Sequence, residues 1–162
     1  MSNNIIEQLR DDKNYYGKIG QEYLSNSDIY SLLNNPRDFR KQEKGLPLIM
    51  GGYFHCAMLE PEKLKSYHTV DVATRSTKVF KEYIKTNCLD PYDVLLNKEV
   101  STIETWIDAM KSNFTMYTDI YNDNNIYEEP GVVELFGMNW KGKADIITDT
   151  HVIDIKTSSQ YR

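Results

Sequence analysis

Apolar positions recur at helical spacing through most of the chain and alternate with polar ones only near its end. The stretch NNIIEQLRDD predicts a first helix. In SNSDIYSLLNNPRDF, Ser25 or Ser27 stands where an N-cap hydroxyl is needed, Ile29, Leu32 and Leu33 share one face, and Pro36 ends the helix. GLPLIMGGYFHCAMLEPEKL begins with breakers and continues as an apolar helix from about Gly51 to Leu59, closed by Pro61, with His55 inside it. A further helix is predicted over 74–86, with Val79, Tyr83 and Ile84 inward. The strongest periodicity lies in STIETWIDAMKSNFTMYTDIY. There Ser101 and Glu104 make a capping box, and Ile103, Trp106, Ile107, Met110, Phe114, Tyr117 and Tyr121 form a core stripe.

After NDNN breaks that pattern, alternation predicts strands at about 131–137, 140–148 and 151–157. Helices first and sheet last describe an α+β or α/β fold, with N-terminal helices packed on a small mixed sheet that ends in a hairpin. A length of 162 residues, without repeats or low-complexity linkers, fits a single domain over 1–162.

Composition narrows the function. Hydrophobic residues at 40% and charged ones at 27% fit a soluble globular protein. No apolar run is long enough for a membrane span, and MSNNIIEQLRDDKNYYG lacks a signal peptide's basic start and apolar centre, so the expectation is a cytoplasmic protein, in the host cytoplasm if phage-encoded. Cys56 and Cys88 have neither paired spacing nor disulfide-scaffold density and read as reduced thiols. A net charge of −5 argues against a generic nucleic-acid coat protein, but not against a nuclease, whose bound cations and local basic patches offset its carboxylates. Arg37, Arg40, Lys41 and Lys44 are candidates for a DNA-binding patch; they fit a solvated helix face equally well.

The last two strands carry the chemistry. If Asp149 and Thr150 form a two-residue turn, Ile147 faces Val152, Ile146 faces Ile153, and Asp145 faces Asp154. Like charges directly opposite repel, and a divalent cation is the simplest compensation. Lys156 lies two residues beyond Asp154 and so shares its face, while Ile153 and Ile155 point the other way. Asp-Thr is a poorer hairpin turn than Asp-Gly, and a slip of one residue would separate the two acids. The spacing also fits an exposed edge hairpin whose Asp and Lys face solvent. A D-x-K triplet alone does not separate the two readings.

The wider pattern does. GKADIITDTHVIDIKTS resembles the signature of the PD-(D/E)xK nuclease superfamily, with Asp145 in the first acidic position and Asp154, Ile155 and Lys156 as the D-x-K element. Within it, the chain resembles the exonuclease VIII type of phage recombination nuclease: SNSDIYSLLNNPRDF is similar to that group's N-terminal helix motif, and GGYFHCAMLEPEKL to its G-x-x-H segment followed by L-E-P-E. The resemblance implies a restriction-endonuclease-like core. It makes His55 a helix-borne metal ligand, Asp145 and Asp154 metal-binding carboxylates, the Ile155 backbone carbonyl a further ligand, and Lys156 the catalytic lysine. Glu134, in GVVELFG, is similar to the acidic residue of the preceding strand and acts through the metal or a water. A lone histidine on an apolar helix is by default a satisfied core residue; a neighbouring carboxylate cluster would turn it into a ligand.

The implied reaction is Mg²⁺-dependent hydrolysis of DNA phosphodiesters, with Mn²⁺ as a substitute ion. The resemblance adds double-stranded ends, 5′-to-3′ digestion, ring-shaped homo-oligomers and a single-strand annealing protein as partner. It also implies a helix carrying Gln and Tyr after the D-x-K strand, a role that Gln160 and Tyr161 stand too close to the strand to fill. The C-terminal helix and strands of the family are therefore expected to be lacking, or supplied by another chain. A second function class follows, a non-catalytic or incomplete nuclease-fold module that binds DNA or assembles with a partner. A small-molecule hydrolase has little support, since the sequence has no glycine-rich phosphate loop, GxSxG elbow or HExxH.

Overall fold

A computed structural model describes residues 2–41 and 44–157, so Gln160 and Tyr161 lie outside the described residues. The chain runs α1 (Ser2–Leu9), α2 (Asp12–Tyr15), α3 (Asn26–Asn34), α4 (Leu46–Leu59), β1 (His68–Val70), α5 (Lys78–Thr86), β2 (Val94–Leu96), α6 (Asn97–Ser112), α7 (Phe114–Ile120), β3 (Ile126–Leu135), β4 (Met138–Ile147) and β5 (Val152–Ile153). This is a mixed α+β fold with its larger sheet last, in the order the sequence predicts. Contacts divide it into two compact units, residues 1–42 with 123–154 and residues 43–122 with 155–162.

The first unit combines α1, α2 and α3 with the antiparallel sheet β3–β4–β5. Ser25, rather than Ser27, caps α3: its hydroxyl accepts the Asp28 N–H at 3.3 Å, and the Asp28 carboxylate accepts the Ser25 N–H at 2.8 Å. The apolar face expected of α3 is not core, for Leu33 is 80% exposed. β3 and β4 form a long hairpin that pairs Leu135 with Met138 and Ile126 with Ile147, so the turn is Phe136–Gly137 and the predicted strand over 131–137 is shifted toward the N-terminus. Leu24 bridges to Trp140 on β4, accepting the Lys141 N–H at 2.8 Å and donating to the Asn139 carbonyl at 2.9 Å. β5 pairs at Ile146–Ile153 and Ile147–Val152, the expected register, but over two residues rather than the predicted seven.

The second unit is built on a short parallel pair, β1 with β2, which the sequence did not signal. Parallel strands need a crossover, and α5 lies between them in the chain. Val70, Phe80, Val94 and Leu96 are buried together, with Tyr83, Ile84 and Leu89 packed against them. Val79, predicted inward, is 61% exposed, because α5 starts only after its Thr77 cap and directs Phe80 to the core. α4 begins at Leu46, earlier than predicted: Pro47 starts the helix instead of breaking it, since a first-turn proline gives up an N–H that has no intrahelical partner. α6 begins at Asn97, so Ser101 is interior, and Asn113 ends the predicted continuous stripe and caps α7. Ile103 and Ile120 are buried, whereas Phe114 is 80% exposed. Neither Cys56 nor Cys88 is in a disulfide among the described residues. No helix among the described residues is long and apolar enough to cross a membrane.

Candidate metal centre

Two carboxylates meet on the hairpin of the first unit. The ladder pairs Tyr127 with Ile146 and Glu129 with Ala144, so Glu128 lies across from Asp145. A carboxylate oxygen of each lies within 4.8 Å of the other, and both residues are half-buried. Side by side, two such acids repel unless a cation or a donor stands between or beside them. Two oxygens bound to one hard divalent ion at about 2.0–2.6 Å are separated by about 5 Å at most, so the observed spacing fits a shared ion.

One donor is already in place. Lys143, two residues before Asp145 on β4, brings its Nζ to 3.3 Å from Glu128 Oε2 and 2.6 Å from Asp12 Oδ1 on α2. Its side chain is only 11% exposed, and it lies 5.0 Å from the Tyr15 ring centroid and 5.7 Å from that of Tyr16. Burial opposes its charge, but the hydrogen bond to Asp12 and the negative groups around it outweigh burial and hold the ammonium above its ordinary pKa. Lys141 stands 4.3 Å over the Tyr15 ring and donates to the Tyr15 carbonyl; burial pushes its pKa down. Burial likewise raises the Tyr15 phenol. Glu129, on the other side of the strand, is taken by Arg10 in a two-pronged pair at 2.7 and 3.1 Å.

The residues expected from the sequence fall as follows. Asp145 is at this pair. Asp154 is exposed and directly follows β5, one residue beyond the paired Ile146 and Ile153. Ile155 is buried and Lys156 is exposed, both beyond the last paired residue. His55 is on α4, half-buried, in the second unit.

Glu134 is a correction. It pairs with Asn139, six residues before Asp145 on β4, which places it about 20 Å from Asp145 at about 3.3 Å per residue, too far to share an ion. Glu128 is the acidic residue of the preceding strand that the register brings to Asp145.

The basic patch is also largely occupied. Arg40 binds Asp28 at 3.2 Å and the carbonyls of Gln21 and Tyr23, Lys41 binds Asp38 at 2.8 Å, and Lys44 lies 3.4–3.5 Å from Asp93 and Asp90. Arg37 is exposed in the turn after α3. These contacts fit the solvated-face reading of the segment.

Comparison with curated proteins and with solved structures finds no significant match. A family model does match: described as a PDDEXK-like domain of unknown function (DUF3799), it covers residues 28–162, from within α3 to the end of the chain, and this protein belongs to that family, whose character is of nuclease type.

Proposed function

We propose that the chain is a metal-dependent deoxyribonuclease of the exonuclease VIII type, hydrolysing phosphodiester bonds of linear double-stranded DNA in phage recombination or DNA processing. The observation that carries this reading is the facing pair Glu128 and Asp145 on adjacent strands, within one ion's reach, immediately before the D-x-K element of a PDDEXK-like chain. Oxygen ligands of this kind suit Mg²⁺, with Mn²⁺ as substitute. Glu128 and Asp145 would hold the ion, with Asp154, His55 and the Ile155 carbonyl as the further ligands that the resemblance assigns. When bound, such an ion acts as a Lewis acid on the phosphate and lowers the pKa of an attacking water. Lys156 would orient the attacking water and stabilise the negative charge that develops on it. No covalent intermediate with the protein is needed.

The test incubates the purified chain with linear duplex DNA labelled at either the 5′ or the 3′ end, beside a closed circular duplex, in Mg²⁺. The expected outcome is progressive loss of the linear DNA from its 5′ ends, an intact circle, and no digestion with EDTA or in Asp154→Ala. Digestion that survives both controls overturns the assigned site. Absence of digestion under every condition, with DNA binding or partner assembly retained, favours the non-catalytic module instead.

A further inference from the structure

Glu128 is held in an unusual way. Its φ is +51°, a left-handed conformation that is disfavoured for a residue with a Cβ. It is neither a glycine nor an asparagine, and it sits inside a strand whose pairing is regular on both sides. That conformation persists where surrounding contacts over-determine it. The ammonium of Lys143 is one such contact, 3.3 Å from Oε2, and it is fixed in turn by Asp12 at 2.6 Å and roofed by the rings of Tyr15 and Tyr16.

We propose that Lys143, tethered by Asp12, is a positioning residue for the metal ligand Glu128, an inference that rests on the metal site described above. Three facts support it. A carboxylate has lone pairs to spare, so an ammonium on one oxygen leaves others for a cation. Lys143 is diagonal to Glu128 across the β3–β4 ladder, on the same face as Asp145, so it fixes the acid from the side rather than from the position an ion takes between the two carboxylates. Asp12 cancels the charge that Lys143 would otherwise set against the ion.

The experiment measures Mn²⁺ affinity of the full chain by electron paramagnetic resonance of the free ion, with thermal melts of the metal-free variants alongside. In Lys143→Gln the affinity is expected to fall about tenfold or more, the usual cost of removing an outer partner of a metal ligand. Lys143→Arg, which still bridges two carboxylates, is expected to recover most of it, and Asp12→Asn to weaken binding although Asp12 is itself no ligand. If Lys143→Gln binds Mn²⁺ as tightly as the unaltered chain, or more tightly, the inference is overturned. Should that variant fail to melt cooperatively, Asp12→Asn decides on the same terms, because Asp12 is 39% exposed and its loss leaves the strand pairing alone. Asp145→Asn separates the two layers of the argument. Mn²⁺ binding unaffected by Asp145→Asn sinks the metal site and this inference with it, whereas binding lost in Asp145→Asn but untouched in Lys143→Gln sinks the positioning role alone.

Discussion

Glu99 carries its charge into the interior of the second unit, where its side chain is 11% exposed and fully engaged. Arg75 grips it with two guanidinium nitrogens at 2.5 and 2.8 Å and donates from one of them to the Val94 carbonyl, while the Leu96 N–H reaches the carboxylate at 2.8 Å. One acid thereby ties the end of β2 to the start of α6 and to the loop before α5. Burial alone would raise its pKa; the Arg75 and Leu96 hydrogen bonds and the guanidinium charge outweigh burial and hold it below the ordinary carboxylate value. The sign follows: the unfolded chain takes up this proton at a higher pH than the folded one, so the stabilisation is full above the unfolded value of about 4.3 and disappears as pH falls through the lower, folded value. Urea unfolding from pH 7 down to pH 3 should therefore show the unaltered chain losing stability relative to Glu99→Gln across that window. Arg75→Ala should cost about 3–5 kcal/mol at pH 7, because it strands a buried carboxylate. A loss under about 1 kcal/mol would mean that water reaches Glu99 as it reaches a surface pair.

The β3–β4 hairpin shows at the scale of an element what the sequence could tell and where it misled. Its turn holds Phe136 at φ +55° and Gly137 at φ +70°, the two left-handed residues of a type I′ connection. Phe is a poor occupant of the first position, and its ring is 95% exposed; as an apolar residue it extends the alternation of the sequence, so the predicted strand overshoots into the turn. Placing the turn by Gly137 instead pairs Leu135 with Met138, and counting back along the ladder brings Glu128, not Glu134, to Asp145. The acid that faces Asp145 was thus legible, but only through the glycine. Elsewhere the helices were readable because apolar periodicity runs over many residues, while β1 and β2 were not, since three residues each are too few to show a strand's alternation. Phe114 entered the predicted stripe because spacing alone does not reveal that Asn113 starts a new helix. Relieving the turn gives a direct check: Phe136→Asn should stabilise the chain by about 1 kcal/mol in chemical denaturation, since asparagine tolerates the left-handed region and almost no packing is lost. Unchanged or lower stability would show that the Phe136 side chain contributes to the fold what its exposure denies.

For the whole molecule, the test of the site is whether the folded chain as such binds the ion. An ion taken up by the native state alone adds RT ln(1 + [L]/Kd) to the unfolding free energy, about 2.7 kcal/mol at a hundredfold excess over Kd, and the gain keeps growing with the logarithm of concentration. General screening of a chain of net charge −5 behaves differently: it saturates with ionic strength and does not depend on which acid is removed. The hairpin supplies the discriminating pair of variants, because Asp145 and Glu134 project from one ladder yet lie about 20 Å apart. Denaturation midpoints measured against Mn²⁺ at constant ionic strength should rise logarithmically for the unaltered chain and for Glu134→Gln, and stay flat for Asp145→Asn. Equal loss of the rise in both variants would assign it to overall charge, and a rise retained in Asp145→Asn would place the ion somewhere other than beside the D-x-K strand.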